Sequence, residues 1–237
     1  MNLEDRVAVI TGATGGLGRV VARRLADEGA RLGLISTDSE RLALLGSELE
    51  LPKSRWMAYA ANLAKPGTAE AASAAVMAKF GHAEILVHLV GGWTGGKTVQ
   101  EVAENDMTWM LQQHFWTTFY LARAFVPHLV ASGWGRIIGV SSPTASHPRA
   151  KSGPYAAGKA AQDALLLALA QELEGSGVTA NLLVVRTIDV EHRRDRERTP
   201  ETAKWTTPEE IASAMLYLCS DAAGVVNGAR IPLYGAP

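Results

Sequence analysis

The sequence predicts an α/β protein built on one doubly wound parallel sheet with helices on both faces. Three observations carry that expectation. Short apolar runs alternate with longer amphipathic ones from end to end. The short runs are nearly continuously apolar, which implies strands covered on both faces. A glycine cluster stands between the first strand and the first helix, where such sheets bind ligands.

In chain order, residues 7–10 form a short β-branched strand. Residues 17–28 carry an apolar helical face, stopped by Gly29. Residues 32–35 are the second strand. Residues 39–49 are helical, with Ser39 as N-cap because a serine hydroxyl accepts from the first free N–H groups. Residues 56–61 read as a weak strand, and residues 69–80 as an alanine-rich helix stopped by Gly81. Then come a buried strand at 85–90, one long helix at 106–131 and a strand at 136–140. A second long helix at 154–174 is stopped by Gly175. A strand at 178–185, a helix at 208–218 and a strand at 229–233 complete the pattern. One interval breaks the rhythm. Residues 186–204 are a polar, arginine-rich connection, and loops of that length are usually lids or disordered. With no linker, repeat or low-complexity tract, residues 1–237 read as a single domain.

Composition narrows the function classes. Hydrophobic residues are 47% and charged residues 20% of the chain, the balance of a soluble globular protein. A formal net charge of −1 gives no global electrostatic case for nucleic acid or an anionic membrane. One cysteine, Cys219, excludes an internal disulfide and a cysteine metal cluster, and no metal is expected. The N-terminal residues lack the basic segment and long apolar stretch of a signal peptide. No apolar run approaches the roughly 20 residues of a membrane helix. A cytoplasmic location is expected.

The glycine cluster is Thr11-Gly12-Ala13-Thr14-Gly15-Gly16-Leu17-Gly18. Glycines there permit a tight turn, a close backbone approach to a pyrophosphate, and close packing of helix on sheet. The helix N-terminus then offers free N–H groups and a positive dipole to phosphate. This is the pattern of a Rossmann-type dinucleotide site; a structural turn without a ligand is the bland alternative. At the end of the second strand an acid normally binds ribose hydroxyls and selects NAD. Here Ser36-Thr37-Asp38 stands instead. The missing acid removes repulsion against a 2′-phosphate and tips the expectation toward NADP. No arginine follows directly, although Arg41 is near in sequence.

Tyr155-Ala156-Ala157-Gly158-Lys159 opens the second long helix. Residues i and i+4 share a helical face, which puts an ammonium near a phenol. Free tyrosine has a pKa of about 10, and a nearby cation lowers it. A tyrosine so tuned exchanges a proton with a carbonyl oxygen while hydride moves at carbon. Ser142, at the end of the preceding strand, is placed to hydrogen-bond the same oxygen.

With these features the chain resembles the short-chain dehydrogenase/reductase family over nearly its whole length. The matching pieces are residues 11–18, 85–91, Ser141-Ser142, 155–159, Asn181, 208–212, Ser220-Asp221 and Gly228. The resemblance implies hydride transfer between a nicotinamide cofactor and a small carbonyl or alcohol substrate. It implies that Ser142 polarises the carbonyl, that Tyr155 is the acid/base, and that Lys159 binds the nicotinamide ribose and tunes Tyr155. The cofactor contacts it implies are Gly12, Thr14, Gly16, Leu17, Gly18, Ser36, Thr37, Asn62, Leu63, Gly91, Tyr155, Lys159 and Ile188. Asn62 falls where the family usually has an aspartate near adenine. The long helices, with Trp116, Phe119, Tyr120, Phe125, Leu166, Leu167 and Leu169 on faces one sheet cannot all cover, are expected to pair across a two-fold axis as a homodimer or homotetramer.

A narrower resemblance rests on Gly91-Gly92-Trp93-Thr94-Gly95-Gly96, Trp116-Thr117 and Trp205-Thr206-Thr207-Pro208. These look like dihydropteridine reductases and a bacterial branch near them, which makes a quinonoid dihydropteridine reductase the alternative enzyme. Those reductases lack the serine kept here at Ser142.

Three departures from the family pattern stand out. His88-Leu89-Val90-Gly91 replaces Asn-Asn-Ala-Gly. His114 stands for an asparagine that holds a relay water; either its imidazole replaces that water or the relay is impaired. His88 reads as a packed strand histidine. Val185-Arg186-Thr187-Ile188-Asp189-Val190 replaces a Pro-Gly turn and a threonine. Arg186 either grips an anionic partner (substrate, cofactor phosphate or Asp189), turns outward, or blocks the pocket. Arg193, Arg194, Arg196 and Arg198, interleaved with Asp189, Glu191, Asp195 and Glu197, read as a solvated mixed-charge loop. Trp93, Trp109 and Trp116 either line a pocket for a flat ring or pack elsewhere. These departures keep a non-catalytic dinucleotide-binding protein in play, whereas retention of Ser142, Tyr155 and Lys159 argues for an enzyme.

Overall fold

The short apolar runs become strands: β1 (Val7–Thr11), β2 (Arg31–Ser36), β3 (Trp56–Ala60), β4 (Ile85–His88), β5 (Gly135–Ser141), β6 (Val178–Val185) and β7 (Arg230–Leu233). The structure is a computed structural model that describes residues 3–235. All seven strands are parallel, in the order β3-β2-β1-β4-β5-β6-β7. The order reverses between β1 and β4, so a crevice opens beyond the carboxyl ends of those two strands. β6, the longest apolar run, is buried at every residue. The edge strands β3 and β7 are only partly buried, which accounts for the weak apolar signal of β3.

Helices cover both faces: α1 (Gly16–Asp27), α2 (Ser39–Glu48), α3 (Thr68–Phe80), α4 (Glu104–Leu111), α5 (Thr117–Ala131), α6 (Gly153–Glu172), a short α7 (Arg193–Arg196) and α8 (Pro208–Cys219). Side chains alternate across the pleat. Ala8 and Ile10 therefore enter one core with Val21 and Leu25 of α1 and Ile211 and Met215 of α8. Val7 and Val9 enter the other with Val76 of α3, Phe125 of α5 and Leu166 of α6.

Several expectations need correction. Asp38, and not Ser39, caps α2: its carboxylate accepts from the Glu40 and Arg41 N–H groups, both at 3.0 Å. The long central helix is interrupted by a π-helical turn, Gln112–Trp116. The hydroxyls of Thr117 and Thr118 donate to the widened carbonyls of Gln113 and His114, each at 2.6 Å. Phe125, Leu166 and Leu169 lie in the core, so only Trp116 is exposed among the expected outer residues, with Phe119, Tyr120 and Leu167 half-buried. The long polar connection folds back on itself. Asp189, 2% exposed, accepts from the Arg193 and Arg194 N–H groups at 2.8 Å, and Ile188 bridges Thr206.

Candidate active site

The glycine turn leaves β1 at Gly12, whose φ of +67° is left-handed. A Cβ there would lie 3.1 Å from the Leu89 carbonyl, and one on Gly18 would overlap the Gly12 oxygen. The cradle therefore exists only because these positions are glycine. α1 starts at Gly16 with no side-chain cap, so its first N–H groups are left for a ligand. Those features fit the pyrophosphate of a nicotinamide dinucleotide.

At the adenine end the Thr14 and Ser36 hydroxyls hydrogen-bond at 2.6 Å. Arg41 does reach the turn: its guanidinium donates to the Thr14 carbonyl at 2.7 Å. Arg41 and Ser36 thus both bond Thr14, while Asp38 is occupied in capping α2. Thr37 is exposed at the end of β2. Asn62 and Leu63 follow β3; Asn62 Oδ1 accepts from the Ala64 N–H, and Leu63 is buried.

The crevice contains a cleft of about 490 Å³. Gly12, Gly16, Leu17, Gly18, Gly91, His114, Tyr155, Lys159 and Ile188 all line it, so the structure brings these predicted residues together. Val190 closes over the turn, where a Cβ on Gly16 would meet its methyls at 2.5 Å. Ser142 instead lines an adjoining cleft of about 470 Å³, and its hydroxyl also accepts from the Thr144 N–H at 3.2 Å. Thr14, Ser36, Thr37, Asn62 and Leu63 line neither. Of the three tryptophans, only Trp93 faces the first cleft. Trp109 packs toward Gly92, and Trp116 lines a separate surface depression.

Lys159 is 6% exposed, and its ammonium donates to the Val140 carbonyl at 2.7 Å and to Gln162 Oε1 at 2.9 Å. Burial pulls its pKa down to about 8, against the opposing charge of Asp163. The cation expected to lower Tyr155 is therefore engaged with Val140 and Gln162. Burial raises the Tyr155 phenol above its ordinary value; hydrogen bonding with Ser142 opposes this, and the Asp163 charge adds to it. The expected lowering is not what this arrangement gives.

His114 lies in a slot beside Gly158, where a Cβ would come within 3.1 Å of its ring and 2.8 Å of the Met110 carbonyl. Its ring meets Tyr155 edge-on, centroids 5.5 Å apart. Nε2 hydrogen-bonds the Gly92 carbonyl at 2.9 Å, so Nε2 carries the hydrogen and Nδ1 is a bare acceptor. That Nδ1 is buried without a partner, although the Gln162 side chain lies near it. Burial, reinforced by the Lys159 charge, lowers the His114 pKa to about 3. The same two causes bring His88 to about 3. His88 is the packed strand histidine expected, with Thr11 at 2.9 Å on Nδ1 and Thr117 at 3.4 Å on Nε2.

Two neighbours escaped the sequence reading. Gln162 and Asp163 follow Lys159 by three and four residues on α6, a spacing that shares its face. Asp163 is buried, accepts from Ser141 at 2.8 Å and pairs with Arg230 at 2.9 Å. Arg186, exposed, lies over the Tyr234 ring at 4.4 Å, and Asp189 is occupied by α7, which removes Asp189 as its partner.

Among the described residues no helix is long and apolar enough to cross a membrane. A family model described as short chain dehydrogenase matches residues 6–201. A 3-oxoacyl-(acyl-carrier-protein) reductase of Vibrio cholerae is 30% identical, covering 99% of this chain and 98% of its own. A D-threitol dehydrogenase of Mycolicibacterium smegmatis is 28% identical, covering 98% of this chain and 93% of its own. The crystal structure of L-sorbose reductase from Gluconobacter frateurii, complexed with NADPH and L-sorbose, superimposes with a TM-score of 0.89 at 27% identity, covering 100% of this chain and 97% of that one.

Proposed function

The chain belongs to the short chain dehydrogenase family and is an NAD(P)-dependent oxidoreductase, and from that premise we propose that it reduces the carbonyl group of a small molecule, with Tyr155 as proton donor. The observation that carries this reading is the placement of Tyr155 and Lys159 in the same cleft as the glycine turn. A tyrosine phenol is protonated at neutral pH, the form that donates to a carbonyl oxygen as it gains negative charge. Ser142, at the border of the two clefts, is the second donor to that oxygen.

A nicotinamide bound in this cleft would supply the hydride. Gly12, Gly16, Leu17 and Gly18 would hold its phosphates, with Gly91 and Ile188 further along the cleft. Thr14, Ser36, Thr37, Asn62 and Leu63 would lie toward the adenosine, and Arg41, which shares Thr14 with Ser36, favours NADPH. Lys159, with a pKa near 8, gives up a proton easily near neutrality and can refill Tyr155. His114 is neutral at pH 7 and serves as an acceptor through Nδ1, in place of a water-holding asparagine. Trp93, 65% exposed at the mouth of the cleft, favours a flat-ring substrate such as a quinonoid dihydropteridine as the second reading. The exposed Trp116 beside half-buried Phe119 and Tyr120 supports a homodimer or homotetramer.

The test is a turnover screen of carbonyl and pteridine substrates with NADPH and NADH, alongside cofactor titration. Tight cofactor binding with no turnover across the screen would replace this reading with that of a non-catalytic binder.

A further inference from the structure

The second cleft, about 470 Å³, lies across Ser142 from the cofactor cleft. Its walls come from the β5–α6 connection and from the polar connection after β6. Three cationic side chains border it: Arg149, Arg186 and Lys204, against one acid, Glu201. Among the described residues, none of the three cations is in an ion pair.

Two arginines on the same connection are matched by carboxylates, and a third, Arg196, donates to the Glu191 carbonyl. Arg193 pairs with Glu197 at 3.4 Å and Arg194 with Glu210 at 2.8 Å. Arg193 and Arg194, which do not border the cleft, therefore have carboxylate partners, whereas the three cations that border it have none among the described residues. A concave site focuses such charge onto what enters it. The glycine turn does not line this cleft, so the cofactor's pyrophosphate is not the charge being met. Arg186 borders both clefts and lies over Tyr234, which leaves its guanidinium edge open to hydrogen bonding.

We infer that the second cleft binds the anionic end of the substrate, a carboxylate or an equivalent oxyanion, through Arg149 and Lys204 with Arg186 at the junction. The inference rests on the carbonyl-reductase reading for what happens at the other end of the molecule. The carbonyl lies between Ser142 and Tyr155, and the anion lies beyond Ser142. Trp205, half-buried in the same wall, offers a flat face to the body of the substrate.

Two probe pairs test it. The first is binding of terephthalate and of its neutral diamide to the NADPH-loaded protein. The second is turnover of 4-formylbenzoate and of its methyl ester. The dianion should bind about tenfold more tightly than the diamide or better, as expected for a charge-assisted pair. Arg149→Gln combined with Lys204→Gln should erase that preference while leaving the NADPH dissociation constant unchanged. In the unaltered protein, added salt should weaken the dianion and spare the diamide, a readout that needs no variant. Equal affinities for dianion and diamide, or a preference that survives in the double variant, overturns the inference. The parent reading fails in a different way: anion-selective binding with neither aldehyde reduced leaves the anion site standing and removes the reductase. Conversely, equal turnover of both aldehydes with no anion preference leaves the reductase and removes the anion site.

Discussion

Lys159 donates to Gln162 Oε1 at 2.9 Å, one helical turn along α6, so its ammonium is satisfied inside the protein before any ligand arrives. With the Val140 carbonyl as second acceptor, the charge is retained despite burial, but only weakly: its pKa falls to about 8. We predict that the lysine ε-carbon resonances of the isotopically labelled, ligand-free protein include one titrating near pH 8. Gln162→Leu should move that midpoint lower, since it removes an acceptor from the charged form. A midpoint at the ordinary lysine value would contradict the buried arrangement.

Tyr155→Phe keeps the ring, and with it the edge-on contact to His114, but deletes the proton. Turnover should fall by roughly 10²–10⁴-fold, the usual worth of a positioned acid or base. Cofactor affinity should be unchanged. Near-wild-type turnover would remove Tyr155 from the chemistry.

His88 and His114 make stability pH-dependent in a defined direction. Both are buried neutral with folded pKa values of about 3, below the unfolded value of 6.5. The unfolded chain therefore binds more protons between those limits. Stability should be full above about pH 6.5 and fall as pH drops, by about 1.4 kcal/mol per pH unit for each histidine. Urea midpoints at falling pH measure this slope. His114→Asn should make it shallower; an unchanged slope would mean that His114 is not the neutral buried group described.

Arg41 donates to the Thr14 carbonyl, and Ser36 bonds the Thr14 hydroxyl. Arg41→Ala should weaken NADPH binding about tenfold, the loss expected for a charge-assisted contact to phosphate. NADH binding should hardly change. Parallel losses for both cofactors would place Arg41 in maintenance of the turn alone.

Much of this architecture was legible because its signals are local. The glycine turn, the strand at 178–185 and the Tyr155–Lys159 spacing each depend on residues a few positions apart. What was not legible depends on meetings across the chain. Arg149 and Lys204 come from separate connections and share a cleft only after β5 and β6 pair. Phe125, Leu166 and Leu169 were expected outside, but which stripe of a strongly apolar helix faces the sheet is decided by packing, not by periodicity. The lysine–tyrosine spacing identified a shared face; it did not contain the Val140 carbonyl that draws the ammonium inward.

The π-turn at Gln112–Trp116 acts as a phase shift in a helix that otherwise reads as continuous. Each residue of an α-helix advances the azimuth by about 100°, so an extra residue in one turn reorients everything before it relative to everything after. Trp109 and Met110, which approach Gly92 and Gly158, are set on one side of that shift, and the half-buried Phe119 and Tyr120 on the other. Deleting a single residue from this turn would restore a uniform helix with every side chain of the chain's core sequence still present. It would nonetheless rotate the wall of the cleft away from α6, uncoupling the helix's inner task from its outer one.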